Sequence, residues 1–252
     1  MRRRYPILRA LAAQGIALAL VALAAFLLVN FARVRLPWVL LVLAQSGLAV
    51  SIGRRFGLTR WWGLFQALFF PALLGLNALA LPPVAYLGAF LVVLLLNWNS
   101  FRHGVPLYLT SNAATLRLAE LLREHSPEFR FIDLGCGLAD PLCQLARLYP
   151  KAQFTGVETA PLTFVLAWLR ALPRRNCRIR YRSLWRVPLA PYDVVYCFLS
   201  PLPMPALWQK ARAELRPGAW LISNTFGIPG VSPDQEISLE DWRGTRLLVW
   251  KK

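Results

Sequence analysis

The chain has 252 residues, 57% hydrophobic and 16% charged, with a formal net charge of +17. That hydrophobic content excludes a disordered chain. The charge distribution also excludes an ordinary single soluble domain. Nine arginines and no acidic residue precede position 100, giving +9 there, and twenty basic against twelve acidic residues give +8 thereafter.

The first hundred residues read as an all-α transmembrane region. Leu11 to Val29 carries no charge and approaches the ~20 residues needed to cross a bilayer. Pro37 to Gly53, Trp61 to Ala80 (with Pro71 inside) and Val84 to Trp98 follow, the last two joined by Leu81-Pro82-Pro83. About four spans are expected, with three as the alternative because the second and fourth are short. A signal peptide alone does not explain three further apolar segments. Trp38, Trp61, Trp62 and Trp98 fall near segment ends, where indoles prefer the interface. Four spans put Arg2, Arg3, Arg4, Arg9, Arg54, Arg55 and Arg60 on one side, together with residues 101–252. Positive charge collects on the cytoplasmic side. The expectation is therefore a multi-pass protein of the inner, cytoplasmic membrane with the bilayer as partner and the second domain, 101–252, in the cytoplasm.

Asn97 to Pro106 leaves the membrane, Val105 to Ser111 is extended, and Asn112 to Arg123 has helical periodicity with Ser111 or Asn112 as cap. Next comes Arg130 to Asp140. Phe131 and Ile132 end a buried strand, Asp133 follows, and Gly135 and Gly137 stand two apart. Asp140 can cap a helix that has Pro141 at its first position. Strand, glycine turn and helix start bring backbone close to a ligand. A dinucleotide site wants G-x-G-x-x-G, but the third position here is Asp140. Gln153 to Glu158 reads as a second strand. Glu158 lies 25 residues after Asp133, a spacing at which a carboxylate can bind both ribose hydroxyls, and Gly156 is expected to permit close approach.

Pro161 to Leu172 reads as a helix. Arg170, Arg174, Arg175, Arg178, Arg180, Arg182 and Arg186 then form the densest basic run. Arg178 to Arg182 alternates like a strand with one basic face. Without stacking aromatics along a groove, this face suits anionic lipid headgroups, and nucleic acid is not the expected partner. Tyr192 to Pro201 is a buried strand, Pro203 to Arg216 a helix, and Ala219 to Phe226 a further strand. Glu236 to Glu240 and Thr245 to Trp250 form a terminal hairpin turned at Trp242-Arg243-Gly244. Cys136, Cys143, Cys177 and Cys197 contain no C-x-x-C pair. They read as small residues in a reducing compartment, with no metal site. His103 and His125 read as surface residues.

Asp133-Leu134-Gly135-Cys136-Gly137 resembles the D-x-G-x-G motif of class I S-adenosylmethionine-dependent methyltransferases. Leu138 and Ala139 depart from that family's usual continuation. The resemblance implies an α/β, Rossmann-like seven-stranded methyltransferase sheet. It also implies S-adenosyl-L-methionine as cofactor, held by Asp133, Gly135, Cys136, Gly137 and Glu158. Tyr108 and Thr110 are candidates for a lid over its methionine end, with helix-entry packing as the open alternative. Ser183 stands where the family places an acid on the adenine amino group, so its hydroxyl or the Leu184 amide must serve. The order Ser-Leu-Trp (183–185), Tyr-Asp-Val-Val (192–195), Phe-Leu-Ser-Pro (198–201) and Leu-Arg-Pro-Gly-Ala-Trp-Leu-Ile-Ser (215–223) resembles the membrane-anchored lysine methyltransferases of mitochondria, which act on the ATP synthase c subunit and the adenine nucleotide translocase. Several apolar segments instead of one imply a bacterial relative with its own substrate.

The implied reaction is in-line attack of a neutral lysine amine of a membrane protein on the sulfonium methyl. The carbonyls of Leu199 and Ser200 would orient the amine, and Asp140 and Asn224 are weak candidates for a base. A lipid amine as acceptor, a tethered cofactor-binding protein without methyl transfer, and a nicotinamide-dependent oxidoreductase remain open at this point.

Overall fold

The structure is a computed structural model that describes residues 6–239 and 244–252, with side chains at all of these except 101–103. Arg2, Arg3, Arg4, the hairpin residues Glu240, Trp242 and Arg243, and the His103 side chain therefore lie outside the described residues. The chain divides into two compact units, Met1–Tyr86 and Leu87–Lys252.

The first unit is helical. α1 spans Pro6–Asn30, α2 Trp38–Arg55 and α3 Arg60–Ala78, and α4 (Pro83–Leu96) runs across the division. Small residues at helical spacing let the backbones approach: Ala10, Ala13 and Ala17 on α1, Ala49 and Gly53 on α2. Three glutamines tie the helices together. Gln45 donates to Gln14 Oε1 (2.6 Å), Gln14 to the Gln66 carbonyl (3.0 Å), and Gln66 to the Ala10 carbonyl (3.0 Å). Apolar side chains face outward along α1 and α3, as lipid-facing helices require.

Of the about four spans expected, the described helices support two by length and composition. Two of the described helices, α1 and α3, are long and apolar enough to cross a bilayer. α4 has only 14 residues, about 21 Å at 1.5 Å per residue, against a hydrocarbon core of about 30 Å. α2 has 18 residues but carries Gln45, Ser46, Arg54 and Arg55.

The second unit is built on a seven-stranded sheet of order β3-β2-β1-β4-β5-β7-β6. The strands are β1 Arg130–Leu134, β2 Gln153–Glu158, β3 Cys177–Tyr181, β4 Val194–Cys197, β5 Trp220–Asn224, β6 Gln235–Ser238 and β7 Arg246–Lys251. β1 to β5 pair in parallel; β7 joins β5, and β6 joins β7, antiparallel. The helices are α5 (Trp98–His103), α6 (Asn112–Leu122), α7 (Asp140–Leu148), α8 (Pro161–Ala171) and α9 (Met204–Glu214). Ser111 caps α6 by accepting from the Ala114 N–H (3.2 Å).

The alternation along β1 explains the two cores. Phe131 packs with Phe154, Tyr196 and residues of α6, α7 and α8 on one face. Ile132 and Leu134 pack with Val195, Leu221 and residues of α9 on the other. Each such side chain contributes about 1.5–3 kcal/mol by burial. His125 is corrected from a surface residue to a packed one. Its ring lies 4.3 Å from the Trp220 ring, its Nε2 is buried without a partner, and burial lowers its pKa.

Candidate functional site

β1 and β4 leave the sheet at its centre with their carboxyl ends side by side, and ligands of open α/β sheets bind beyond those ends. The turn after β1 is pinned to β2, because the N–H groups of Gly135 and Cys136 both donate to the Val157 carbonyl at 3.0 Å. Gly135 and Gly137 have φ of +83° and +53°, a region that glycine enters without steric cost. A Cβ on Gly137 would lie 2.9 Å from Leu107 Cδ1, and one on Gly135 3.2 Å from Leu199 Cδ2. Asp140 does not cap α7. Left-handed Ala139 precedes the helix, and the Asp140 carboxylate, in the first turn, pairs with Arg170.

Glu158 ends β2 and is 3% exposed. Its Oε1 accepts from Asn99 Nδ2 (2.6 Å) and from the N–H groups of Thr159 (2.6 Å) and Ala160 (2.8 Å); its Oε2 accepts from Gly137 N–H (2.9 Å). So the glutamate braces the glycine turn from below. Oε2 retains room for one further donor, whereas the sequence suggested two oxygens free for a diol. Thr159 Oγ1 donates to Asn99 Oδ1 (2.7 Å), which holds that amide in place.

A cavity of about 270 Å³ opens here. Gly135, Gly137, Glu158 and Asn99 form its polar wall, and Arg182 to Trp185 lie along it. Tyr108, Phe198, Leu199 and Leu202 form an apolar rim. The Tyr108 ring stacks on Phe198 (4.9 Å, 19°) and approaches Phe226 (5.4 Å). A smaller pocket beside Gly135 is bounded by Tyr108, Thr110, Asp133 and Tyr196. Burial, and then the Glu158 carboxylate, push the Asp133 carboxyl up to about 8. A neutral acid there gains by meeting a cationic ligand group. Burial and Asp133 also raise the Tyr196 phenol, whose oxygen meets Thr110 Oγ1 (3.0 Å) and accepts from Asn224 Nδ2 (3.1 Å).

The candidate residues divide accordingly. Tyr108, Gly135, Gly137, Glu158, Ser183, Leu184 and Leu199 line the large cavity, and Thr110, Asp133 and Cys136 the small pocket. Ser183 Oγ accepts from Trp185 N–H (3.4 Å). Ser200 lines neither; its hydroxyl donates to the Gly104 carbonyl (3.0 Å). Asn224 is committed to Tyr196 and to Thr225 Oγ1 (2.9 Å), so it is not a base. Gly156 does not open the site. A Cβ there would meet Cys136 Sγ and Ile179 Cδ1 at 2.8 Å and Leu142 Cδ2 at 2.9 Å, so the glycine makes room for core packing. Asn99 is the polar residue that sequence reasoning missed. Its only signal is an amide amid the apolar run from Val84 to Trp98 and its polar exit.

The donor set fits an adenosyl cofactor. Two glycines leave backbone uncovered, a carboxylate borders the cavity with one acceptor position to spare, and a second carboxyl sits where a cationic amino group would stabilise its charged form.

Residues 133–235 match the family model described as ANTKMT methyltransferase domain. The chain is 29% identical over 133 residues to the protein-methionine methyltransferase laeA of Emericella nidulans, covering 50% of this chain and 33% of that protein. It is 31% identical over 108 residues to a ubiquinone biosynthesis O-methyltransferase of Leptothrix cholodnii, covering 38% of this chain and 44% of that protein. The chain thus spans well under two thirds of these relatives. Among solved structures, an RNA methyltransferase of Salinibacter ruber in complex with S-adenosyl-L-homocysteine superposes with a TM-score of 0.52 at 22% identity, covering 57% of this chain and 93% of that one.

Proposed function

We propose that this chain, a class I S-adenosylmethionine-dependent methyltransferase, is bound to a membrane and N-methylates a lysine side chain of a membrane protein. The observation that carries this reading is the two-sided cavity: a glycine turn braced by Glu158 on one wall, and an apolar aromatic rim on the other. Gly135, Gly137 and Glu158 would hold the adenosyl ribose, Ser183 and the Leu184 amide the adenine, and Asp133 with Tyr108 the methionine end. When bound, S-adenosylmethionine supplies an electrophilic methyl group on a sulfonium.

The protein must then deliver a neutral amine. A lysine has a pKa near 10.4 in water, and contact with Tyr108, Phe198, Leu199 and Leu202 replaces the water that stabilises its charged form. The Leu199 carbonyl would orient the remaining amine hydrogens. Asp133 and Glu158 are buried, and the half-exposed Asp140 beside the small pocket pairs with Arg170, so no base is assigned and the proton leaves to solvent as the amine enters.

The apolar α1 and α3 support membrane attachment. If α2 and α4 cross as well, Arg9, Arg54, Arg55 and Arg60 share the side of residues 101–252, which by the positive-inside tendency is the cytoplasm; with α1 and α3 alone, only Arg9 of these does. The test is mass spectrometry of membrane proteins from cells with and without the gene. A lysine-containing peptide that loses a mass of about 14 Da, one CH₂, without the gene supports the reading. Label from methyl-labelled cofactor appearing only in the lipid extract would instead assign a lipid amine.

A further inference from the structure

We infer that the outer face of α8, with the arginines that follow it, docks on an anionic lipid surface. This rests on the membrane-bound part of the reading above. α8 turns Thr163, Ala167 and Ala171 to the sheet. A helix covering a sheet ordinarily presents polar residues to water on its far side. The far side of α8 instead presents Val165, Leu166, Trp168, Leu169 and Leu172, each 40–58% exposed. Tyr181 of the edge strand β3, its ring 5.1 Å from Phe164, adds a further exposed aromatic.

Charge selects the occupant. Between Glu158 and Asp193 the chain has seven arginines and no acidic residue. Among the described residues, only Arg170 of the seven has a carboxylate partner, Asp140. Arg175, just past α8, is exposed, whereas Arg178 and Arg180 alternate on β3 with Cys177 and Ile179, which pack with Ala167 and Ala171 of α8, and so project from the other face of the sheet. A convex apolar helix bearing tryptophan and ending in arginines has the composition of an interfacial helix, whose apolar side enters the headgroup boundary while its cations meet anionic lipid. A protein partner would need acids to match this run; a phosphate-bearing leaflet supplies them everywhere. Each arginine near such a surface contributes roughly fivefold to the docking equilibrium.

The test uses the full chain in nanodiscs of phosphatidylcholine alone and of phosphatidylcholine with phosphatidylglycerol. One spin label is placed at Leu169→Cys and a control label at Leu116→Cys, which is 61% exposed on α6; the four native cysteines are buried. In anionic discs, the label at 169 should lose access to a water-soluble nickel chelate and gain access to oxygen, while the label at 116 stays water-accessible. Adding Arg174→Glu and Arg175→Glu should shift the docked-to-undocked ratio by roughly 25-fold or more toward undocked. A label at 169 as water-accessible as that at 116 would overturn the inference. So would equal protection in both lipids, or protection that depends on protein concentration and reports a second copy. A chain that co-elutes with neither disc removes the membrane-bound reading itself, and this one with it.

Discussion

Glu158→Gln isolates the brace under the glycine turn. Four donors converge on the native carboxylate: Asn99 Nδ2 and three backbone N–H groups, those of Thr159, Ala160 and Gly137. Glutamine has one acceptor oxygen. With that oxygen facing the three donors at Oε1, its NH₂ faces the Gly137 N–H, and two donors oppose each other at a site 3% exposed. A buried donor left unsatisfied costs about 1–3 kcal/mol. That cost falls on the turn that must contact the cofactor, so affinity should drop roughly five- to hundred-fold. Turnover at saturating cofactor should change little, because the ribose lies away from the reacting methyl. Titration calorimetry with S-adenosylmethionine gives Kd, and steady-state kinetics should show a raised cofactor KM with kcat nearly intact. If kcat collapses while KM holds, Glu158 exchanges protons with the substrate and its assignment to the ribose is wrong.

Gly135→Val should abolish cofactor binding while the chain still enters the membrane fraction. Its φ of +83° and a Cβ 3.2 Å from Leu199 Cδ2 leave no relaxed place for a branched side chain; unchanged calorimetric affinity would remove the turn from the site. Asp133 should make binding pH-dependent. Its folded pKa is raised to about 8 from 3.8, so the folded state holds a proton that the unfolded chain has lost. Stability should therefore fall as pH rises between those values and level off above about 8. Cofactor binding at pH 7 should release a proton, seen as a buffer-dependent enthalpy that Asp133→Asn eliminates. Gly156→Ala should lower stability by about 1–3 kcal/mol through overpacking, seen as a Tm lower by several degrees; an unchanged Tm would contradict the core role of that glycine.

What the sequence made legible follows from period and spacing. β2 has the expected bounds and β4 and β5 lie within the expected strands, because apolar runs between turn residues leave few alternatives; β1 runs on to Leu134, past its expected end at Asp133. The glycine turn was legible because Gly135 and Gly137 follow a strand that carries an acid, Asp133, near its end. Asn99 was not, because its meaning depends on Glu158, 59 residues away. Gly156 misled for the reverse reason: a lone strand glycine signals either ligand approach or crowding, and only Cys136, Leu142 and Ile179 decide between them. His125 was misjudged because its burial comes from Trp220, 95 residues away in the sequence. The span count was read from apolar runs, but α4 stops at Leu96, short of a bilayer thickness.

The central claim is that the cavity beyond the glycine turn takes an adenosyl-sulfonium cofactor. Titration of the detergent-solubilised chain with S-adenosylmethionine, S-adenosylhomocysteine and NAD tests it most directly. Saturable heats with the first two, lost in Gly135→Val, and none with NAD are the predicted result. Saturable binding of NAD with no response to either adenosyl compound would contradict it.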